Sequence, residues 1–343
     1  LIYYPLGGSF MPLRVAINGF GRIGRNILRA HAEAPRDDIE IVAVNDLADI
    51  ETAAFLLEYD SVHGRLNGGV EVDGEAIDTP VGKLRYFSER DPSALDWGAL
   101  GVDVVFECTG IFTAAEKASV HIANGAKKVL VSAPSSGADV TVVYGVNQDA
   151  MRPEHTIISN ASCTTNCLAP VAHVLHQTCG IRQGFMTTVH SYTGDQQLLD
   201  ADHSDRYRAR AAALSMIPTT TGAAKAVGLV LPELAGKLDG VAIRVPTPNV
   251  SAVDLVFEPI NAISAEEINQ ALSDAAAGAL VGVLDVTAKP LVSIDLNGCP
   301  ASSIVHLDQT RVMPDGMARV FSWYDNEWGF SKRMLDTAAA IPF

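Results

Sequence analysis

Cysteine is scarce in this chain, and the features that accompany export or membrane insertion are missing. Five cysteines stand in 343 residues, at positions 108, 163, 167, 179 and 299. An odd number without regular spacing does not describe a secreted disulfide framework, so a reducing cytoplasm is the expected compartment. No apolar run reaches the ~20 residues that a helix needs to span a bilayer. Leu1 to Phe10 lacks the charged start and long apolar core of a signal peptide. Met11 reads as the natural start, and residues 1–10 as a non-native extension. Positive charge is also short: 25 Lys and Arg stand against 40 Asp and Glu, for a net charge of −15. That balance disfavours nucleic acid and anionic membranes as partners. An anionic substrate must then be captured by a local cluster of cations and hydroxyls. No internal repeat or low-complexity linker breaks the sequence.

What is present suits a soluble protein of two ordinary domains. The hydrophobic fraction is 48%, with 28 glycines and 17 prolines. In the first half, short β-branched runs alternate with helical patterns. Strands are expected at Arg14 to Ile17, Ile39 to Asp46, Val102 to Cys108, Lys128 to Val131 and Thr141 to Tyr144, with a helix from Arg25 to Ala32. This alternation implies a parallel sheet covered on both faces. After Ser159 the pattern changes. A helix is expected over Leu168 to Cys179, ending at Gly180. Longer alternating runs follow at Phe185 to His190, Val241 to Val245, Val250 to Phe257 and Arg319 to Tyr324, suggesting a mixed or antiparallel sheet. Ser264-Ala-Glu-Glu267 matches a capping box opening a helix to about Ala279. A last helix is expected from about Gly329 to Ala340. The polar stretch from Gly194 to Pro218 reads as a long ordered loop, a length usually given to function or an interface.

The sequence Gly19-Phe-Gly21-Arg-Ile-Gly24 is weak evidence alone. In this chain it follows a strand, opens a helix and precedes a strand that ends in Asp46. That is the Rossmann context. Gly19 allows the tight turn, Gly21 lets the backbone approach a pyrophosphate, and Gly24 permits close packing of helix on strand. Backbone N–H groups of Arg22 and Ile23 would face the phosphates. Asp46 would accept hydrogen bonds from ribose hydroxyls and repel a 2′-phosphate. NAD is therefore the expected cofactor, with NADP the less favoured alternative.

Ser162-Cys163-Thr164-Thr165-Asn166-Cys167 places a thiol among small hydroxyl residues at a helix start, where helix-terminal N–H groups would lower its pKa. His190, at the end of a later strand, could act as its base. Cys167, about one turn further on, reads as a small buried hydrophobe. No second ligand pair accompanies these cysteines, so no metal is expected. The thiol and imidazole alone would equally suit a cofactor-free Cys–His acyl hydrolase. The upstream fingerprint favours oxidation of a carbonyl through a thioester.

At these residues the chain resembles the phosphorylating glyceraldehyde-3-phosphate dehydrogenase family, across Met11 to Phe343. The motifs are Asn18-Gly-Phe-Gly-Arg-Ile-Gly-Arg25, Tyr59-Asp-Ser61, Ala161-Ser-Cys-Thr-Thr-Asn-Cys167, Thr188-Val-His-Ser-Tyr-Thr193, Pro218 to Lys225, Arg244-Val-Pro-Thr-Pro-Asn249 and Trp323 to Gly329. The resemblance implies Cys163 as nucleophile and His190 as base. It implies Thr193, Arg208 and Arg244 around one phosphate, and Ser162, Thr164, Thr221 and Gly222 around the other. Arg90, Thr109, Gly110, Ser132 and Asn326 are implied as further cofactor contacts. Glyceraldehyde 3-phosphate and inorganic phosphate are the implied substrates, in glucose metabolism, and a homotetramer the implied assembly.

The resemblance also implies an α/β architecture. An N-terminal Rossmann domain, a doubly wound parallel sheet, covers 11–162. An α+β catalytic domain with a mixed sheet covers 163–325, and the C-terminal helix within 326–343 returns to the first domain. Two departures touch the cofactor. Ala201-Asp202 stands where strictly NAD-dependent members carry Leu-Pro, and Leu47 follows Asp46 without a hydroxyl. Both leave NAD preferred. Arg206-Tyr-Arg208 replaces the commoner Leu-Arg-Arg but keeps the arginine at 208. The nearest rival on the same scaffold is erythrose-4-phosphate dehydrogenase, which releases free acid. Thr219 to Gly222 and His190 to Thr193 argue for the phosphorylating reaction.

Overall fold

The computed structural model describes residues 11–343; the expected extension at 1–10 lies outside the described residues. Two large sheets organise the chain. The first has nine strands, of which seven run parallel. Its order is 140–141, 157–159, 128–131, 104–107, 13–18, 39–45, 82–87, 76–79 and 71–73, the last two closing the edge as antiparallel strands. From the central strand Leu13–Asn18 the chain first builds outward to Ile39–Asn45, and later on the opposite side to Val104–Glu107. A crevice opens where the winding reverses, at the carboxyl ends of these strands. The burial of Val104–Glu107 and Lys128–Val131 is complete along each strand, as expected for strands covered on both faces.

The second sheet has eight strands and is mixed. Ile181–Ser191 lies in its middle, parallel to Leu238–Val245 and antiparallel to Ser251–Pro259, which pairs in turn with Ala318–Tyr324. The helix Cys163–Cys179 covers this sheet, burying Leu168, Val171 and Leu175 against Met186, Leu255 and Val320. The closing helix Trp328–Ala339 leaves this sheet and packs on Arg22–Glu33. Lys332 donates to the Ala30 carbonyl at 2.7 Å, Arg36 pairs with Asp336, and Trp328, Met334 and Leu335 share a core with Ile17, Ile27 and Leu28.

Several boundaries differ from the sequence reading for local reasons. Of the expected strand 141–144 only Thr141 is paired in the sheet, in the two-residue strand Val140–Thr141. The Asn147 side chain turns the rest away, accepting from the Val143 N–H at 2.8 Å and donating to the Thr141 carbonyl at 2.9 Å. The helix expected from Leu168 begins at Cys163, because the Ser162 hydroxyl caps it by accepting from the Thr165 N–H at 3.1 Å. Ser264 and Glu267 form the expected reciprocal cap of Ala265–Ala277. Within the expected loop 194–218, Ile217–Thr220 is a strand, and it includes Pro218. It sits at the sheet edge, where proline's missing N–H is tolerated. The remainder of the loop is tied by ion pairs of Arg208 with Asp195 and Arg210 with Asp200.

Candidate active site

The turn before the helix Cys163–Cys179 is strained. Ala161 has φ of 55°, a left-handed conformation rare outside glycine, and is fully buried. It delivers Ser162 to the cap position and Cys163 to the first helical turn. The Cys163 Sγ lies 3.6 Å from the His190 Nε2. His190 Nδ1 stands 2.7 Å from the Ser191 carbonyl oxygen, which can only accept, so Nδ1 carries the ring proton. Nε2 is left bare and faces the sulfur, as a base for the thiol would be.

The electrostatics differ from what the helix terminus alone predicts. Burial pushes the Cys163 thiol above its ordinary value, opposed by the Arg244 cation and by Thr164. Burial, reinforced by Arg244, lowers His190 to about 3. The expected thiolate therefore gives way to a neutral thiol beside a neutral imidazole. Desolvation is the largest influence on both groups and outweighs the helix dipole.

The cationic cluster the acidic composition called for is built around Arg244. It is the register partner of His190 on the neighbouring strand. Its Nη1 donates to the Thr193 hydroxyl at 2.9 Å, while its buried Nε has no partner among the described residues. An unpaired guanidinium nitrogen beside a hydroxyl suits an anionic oxygen. Arg208 is more committed, donating to Asp195 at 2.7 Å and to the Thr219 hydroxyl at 3.1 Å. Gly222 opens the helix Ala223–Val230 with nothing near the position of a side chain, and Thr221 accepts from the Ala223 N–H at 3.2 Å. Two expected phosphate hydroxyls are occupied within the protein. Ser162 Oγ caps its helix, and Thr164 Oγ1 lies 2.9 Å from the Tyr324 hydroxyl.

On the first sheet, Gly19, Gly21, Asp46, Arg90 and Thr109 line a cleft of about 440 Å³. Gly19 has φ of 95°, and a β-carbon on it would stand 2.6 Å from the Thr109 nitrogen. A β-carbon on Gly24 would collide with the Gly19 carbonyl oxygen. Gly21 precedes the helix Arg22–Glu33 without a side-chain cap, which leaves the first N–H groups, those of Arg22 and Ile23 among them, open to an anion. Asp46 accepts from the Phe20 N–H at 2.6 Å and from the Ala48 N–H at 3.1 Å. A glycine-lined approach, an uncapped helix start and a carboxylate at the next strand end fit a dinucleotide. The Arg22 guanidinium turns away to pair with Asp60 and Glu327. Gly110 follows Thr109 with φ of 73°, and the Ser132 N–H donates to the Glu107 carbonyl at 3.0 Å, one strand over. Asn326 adjoins Ser191, the residue after His190. Its Oδ1 accepts from Ser191 at 2.7 Å and Ser251 at 2.9 Å, so its Nδ2 is the remaining donor.

Residues 13–115 match the family model described as the glyceraldehyde 3-phosphate dehydrogenase NAD binding domain, and residues 162–326 match that of the C-terminal domain. The chain belongs to the glyceraldehyde 3-phosphate dehydrogenase family. It is 62% identical over 331 residues to the glyceraldehyde-3-phosphate dehydrogenase of Xanthobacter flavus, covering 96% of this chain and 99% of that one. The figures are the same for the protein of that name from Cereibacter sphaeroides. For that of Geobacillus stearothermophilus, identity is 57% over 332 residues, covering 96% and 98%. Membership makes the chain an NAD-dependent oxidoreductase, as the sequence reading expected. Sequence reasoning did not single out Tyr324, Ser191 or Ser251, which hold Thr164 and Asn326 in place. Tyr324 and Ser191 lie inside motifs quoted for the family, but only the folded sheet shows which way their hydroxyls point.

Proposed function

We propose that this chain oxidises glyceraldehyde 3-phosphate, with inorganic phosphate as second substrate, to 1,3-bisphosphoglycerate. The observation that carries the reading is the bare His190 Nε2 facing the Cys163 thiol, beside an Arg244 whose Nε has no partner among the described residues. His190 takes the thiol proton as the sulfur attacks the aldehyde carbon and returns it to the carbonyl oxygen, so a hemithioacetal forms on Cys163 and Nε2 is bare again. NAD, when bound, supplies the acceptor for the hydride that leaves that carbon. His190 removes the hemithioacetal hydroxyl proton, so the carbon stays on Cys163 as a thioester. Phosphate attacks the thioester and releases the sulfur, and the acyl phosphate retains the energy that water attack would dissipate. The Cys163 N–H, at the helix start, and the protonated His190 are the donors for the oxyanion.

Arg244 and Thr193 hold one phosphate, with Arg208 near it; Ser162, Thr164, Thr221 and Gly222 surround the other. The two engaged hydroxyls must then exchange their internal partners for phosphate, or serve through neighbouring N–H groups. Gly19, Gly21, Arg22, Ile23, Gly24, Asp46 and Arg90 hold the adenosine and pyrophosphate half of NAD. Thr109, Gly110, Ser132 and Asn326 hold the nicotinamide side, where the Asn326 Nδ2 suits the carboxamide oxygen. Asp46, with the exposed Leu47 after it, supports NAD over NADP.

The return of the last helix to the first sheet supports a division at 11–162 and 163–325, with 326–343 rejoining the first part. The loop carrying exposed Leu198, Leu199, Leu214 and Met216 supports a homotetrameric assembly. Five free cysteines among the described residues support a reducing cytoplasm. Among those residues no helix is long and apolar enough to cross a membrane. Steady-state rates with and without inorganic phosphate test the assignment. Turnover that needs phosphate supports it, and phosphate-independent release of free acid would transfer it to an erythrose-4-phosphate type of reaction.

A further inference from the structure

From the floor of the cofactor cleft, at Asn18 and Asn45, a buried polar chain runs inward that no step of the proposed reaction uses. Glu107, which ends its strand, is 1% exposed, and His121 is fully buried. Four donors converge on the Glu107 carboxylate. The Asn18 Nδ2 donates to Oε2 at 2.6 Å, and the His121 Nε2 lies 3.0 Å from the same oxygen. The Thr109 N–H donates to Oε1 at 2.8 Å, and the Thr109 hydroxyl donates there too. On its far side, His121 Nδ1 is 3.1 Å from the Trp97 indole nitrogen. An indole N–H can only donate, so Nδ1 is bare and Nε2 carries the proton given to Glu107. In the other direction, Asn18 Oδ1 accepts from Asn45 Nδ2 at 2.8 Å, and Asn45 Oδ1 accepts from the Glu89 N–H at 2.8 Å.

The chain of bonds crosses the carboxyl ends of adjacent parallel strands. It links the loops after 104–107, 13–18, 39–45 and 82–87, which carry Thr109, Gly19, Asp46 and Arg90. Those four residues line the cleft, and Glu107 does not. Tolerance is small there, as the close approach of Gly19 to the Thr109 backbone shows.

We propose that Glu107, oriented by His121, is a positioning residue for the dinucleotide. Its carboxylate sets the separation of the fingerprint turn from the Thr109 loop, so that the cofactor meets a cleft already formed. An acceptor-only group facing four donors does this without any contact to the ligand, because a fully satisfied buried network admits one geometry. The proposal rests on the assignment of this cleft to NAD.

Glu107→Gln keeps the shape but places an amide NH2 against at least one of the four donors. Calorimetric titration with NAD is expected to show Kd raised about tenfold. KM for NAD should rise in parallel, while kcat at saturating NAD stays within about twofold of the parent. Alkylation of Cys163 by iodoacetamide without NAD should be unchanged, reporting an intact second sheet. His121→Gln retains a donor toward Glu107 and should bind NAD nearly as the parent does, whereas His121→Leu should not. If Glu107→Gln does not fold, that pair of His121 variants decides. Variants that melt lower yet keep the parental Kd and KM for NAD would overturn the proposal and leave the network a purely structural one. A parent protein that binds no NAD would instead overturn the cofactor assignment.

Discussion

The cofactor cleft and the thiol site are built by opposite means. The cleft is made of backbone: glycines that permit close approach, an uncapped helix start, and one carboxylate held by two N–H groups. The thiol site is made of side chains drawn from distant segments, with burial and the Arg244 cation setting the protonation of Cys163 and His190. A backbone site tolerates side-chain change except where space or a charge is needed. A side-chain site fails when a member is lost, since its parts come from separate segments and Arg244 bears on the protonation of both others.

Loss of the sulfur should therefore have the largest effect and leave the cleft untouched. Cys163→Ser is expected to reduce kcat by at least about a thousandfold, since a buried hydroxyl is a far poorer nucleophile. NAD affinity measured by calorimetry should stay at the parental value. Substantial dehydrogenase activity in this variant would overturn the covalent route.

His190→Asn should come next, lowering kcat by roughly 10² to 10⁴. The same variant tests the electrostatics. With His190 titrating at about 3 when folded and near 6.5 when unfolded, the unfolded chain binds the extra proton between these values. This contribution to stability is present above about pH 6.5 and is lost as pH falls toward 3. Urea midpoints measured across that window should fall less steeply in His190→Asn than in the parent. Equal slopes would show that His190 is not held neutral by burial.

This contrast also explains what could be read from the sequence. Gly19 to Gly24 and Asp46 act through contiguous backbone, so their pattern survives in one dimension. The covering helix and the capping box at Ser264 were legible for the same reason. Arg244 beside His190 is a matter of strand register, and the Thr164 contact to Tyr324 joins residues 160 positions apart. Neither is a local pattern. The thiol's upward shift was hidden as well, because helix-start chemistry is local and burial is not.

A smaller effect is expected at the substrate phosphate. Arg244→Lys keeps a cation but loses the fork of donors, and with it the Nε that has no partner among the described residues. KM for the aldehyde should rise roughly tenfold, with kcat less affected. An unchanged KM would remove Arg244 from the phosphate site.

The smallest effect should come from Asp46, where the cleft relies on a charge instead of a shape. Asp46→Asn removes the negative charge and turns one amide NH2 toward either the Phe20 or the Ala48 N–H. If Asp46 reads the ribose, KM for NAD should rise by about tenfold or less, and KM for NADP should fall because the repulsion of its 2′-phosphate is gone. If its work is instead to brace the fingerprint turn through Phe20, both constants should rise together. Steady-state kinetics with the two cofactors separates these outcomes. A parallel rise would make Asp46 part of the backbone scaffold and leave the cleft with no side chain that discriminates between them.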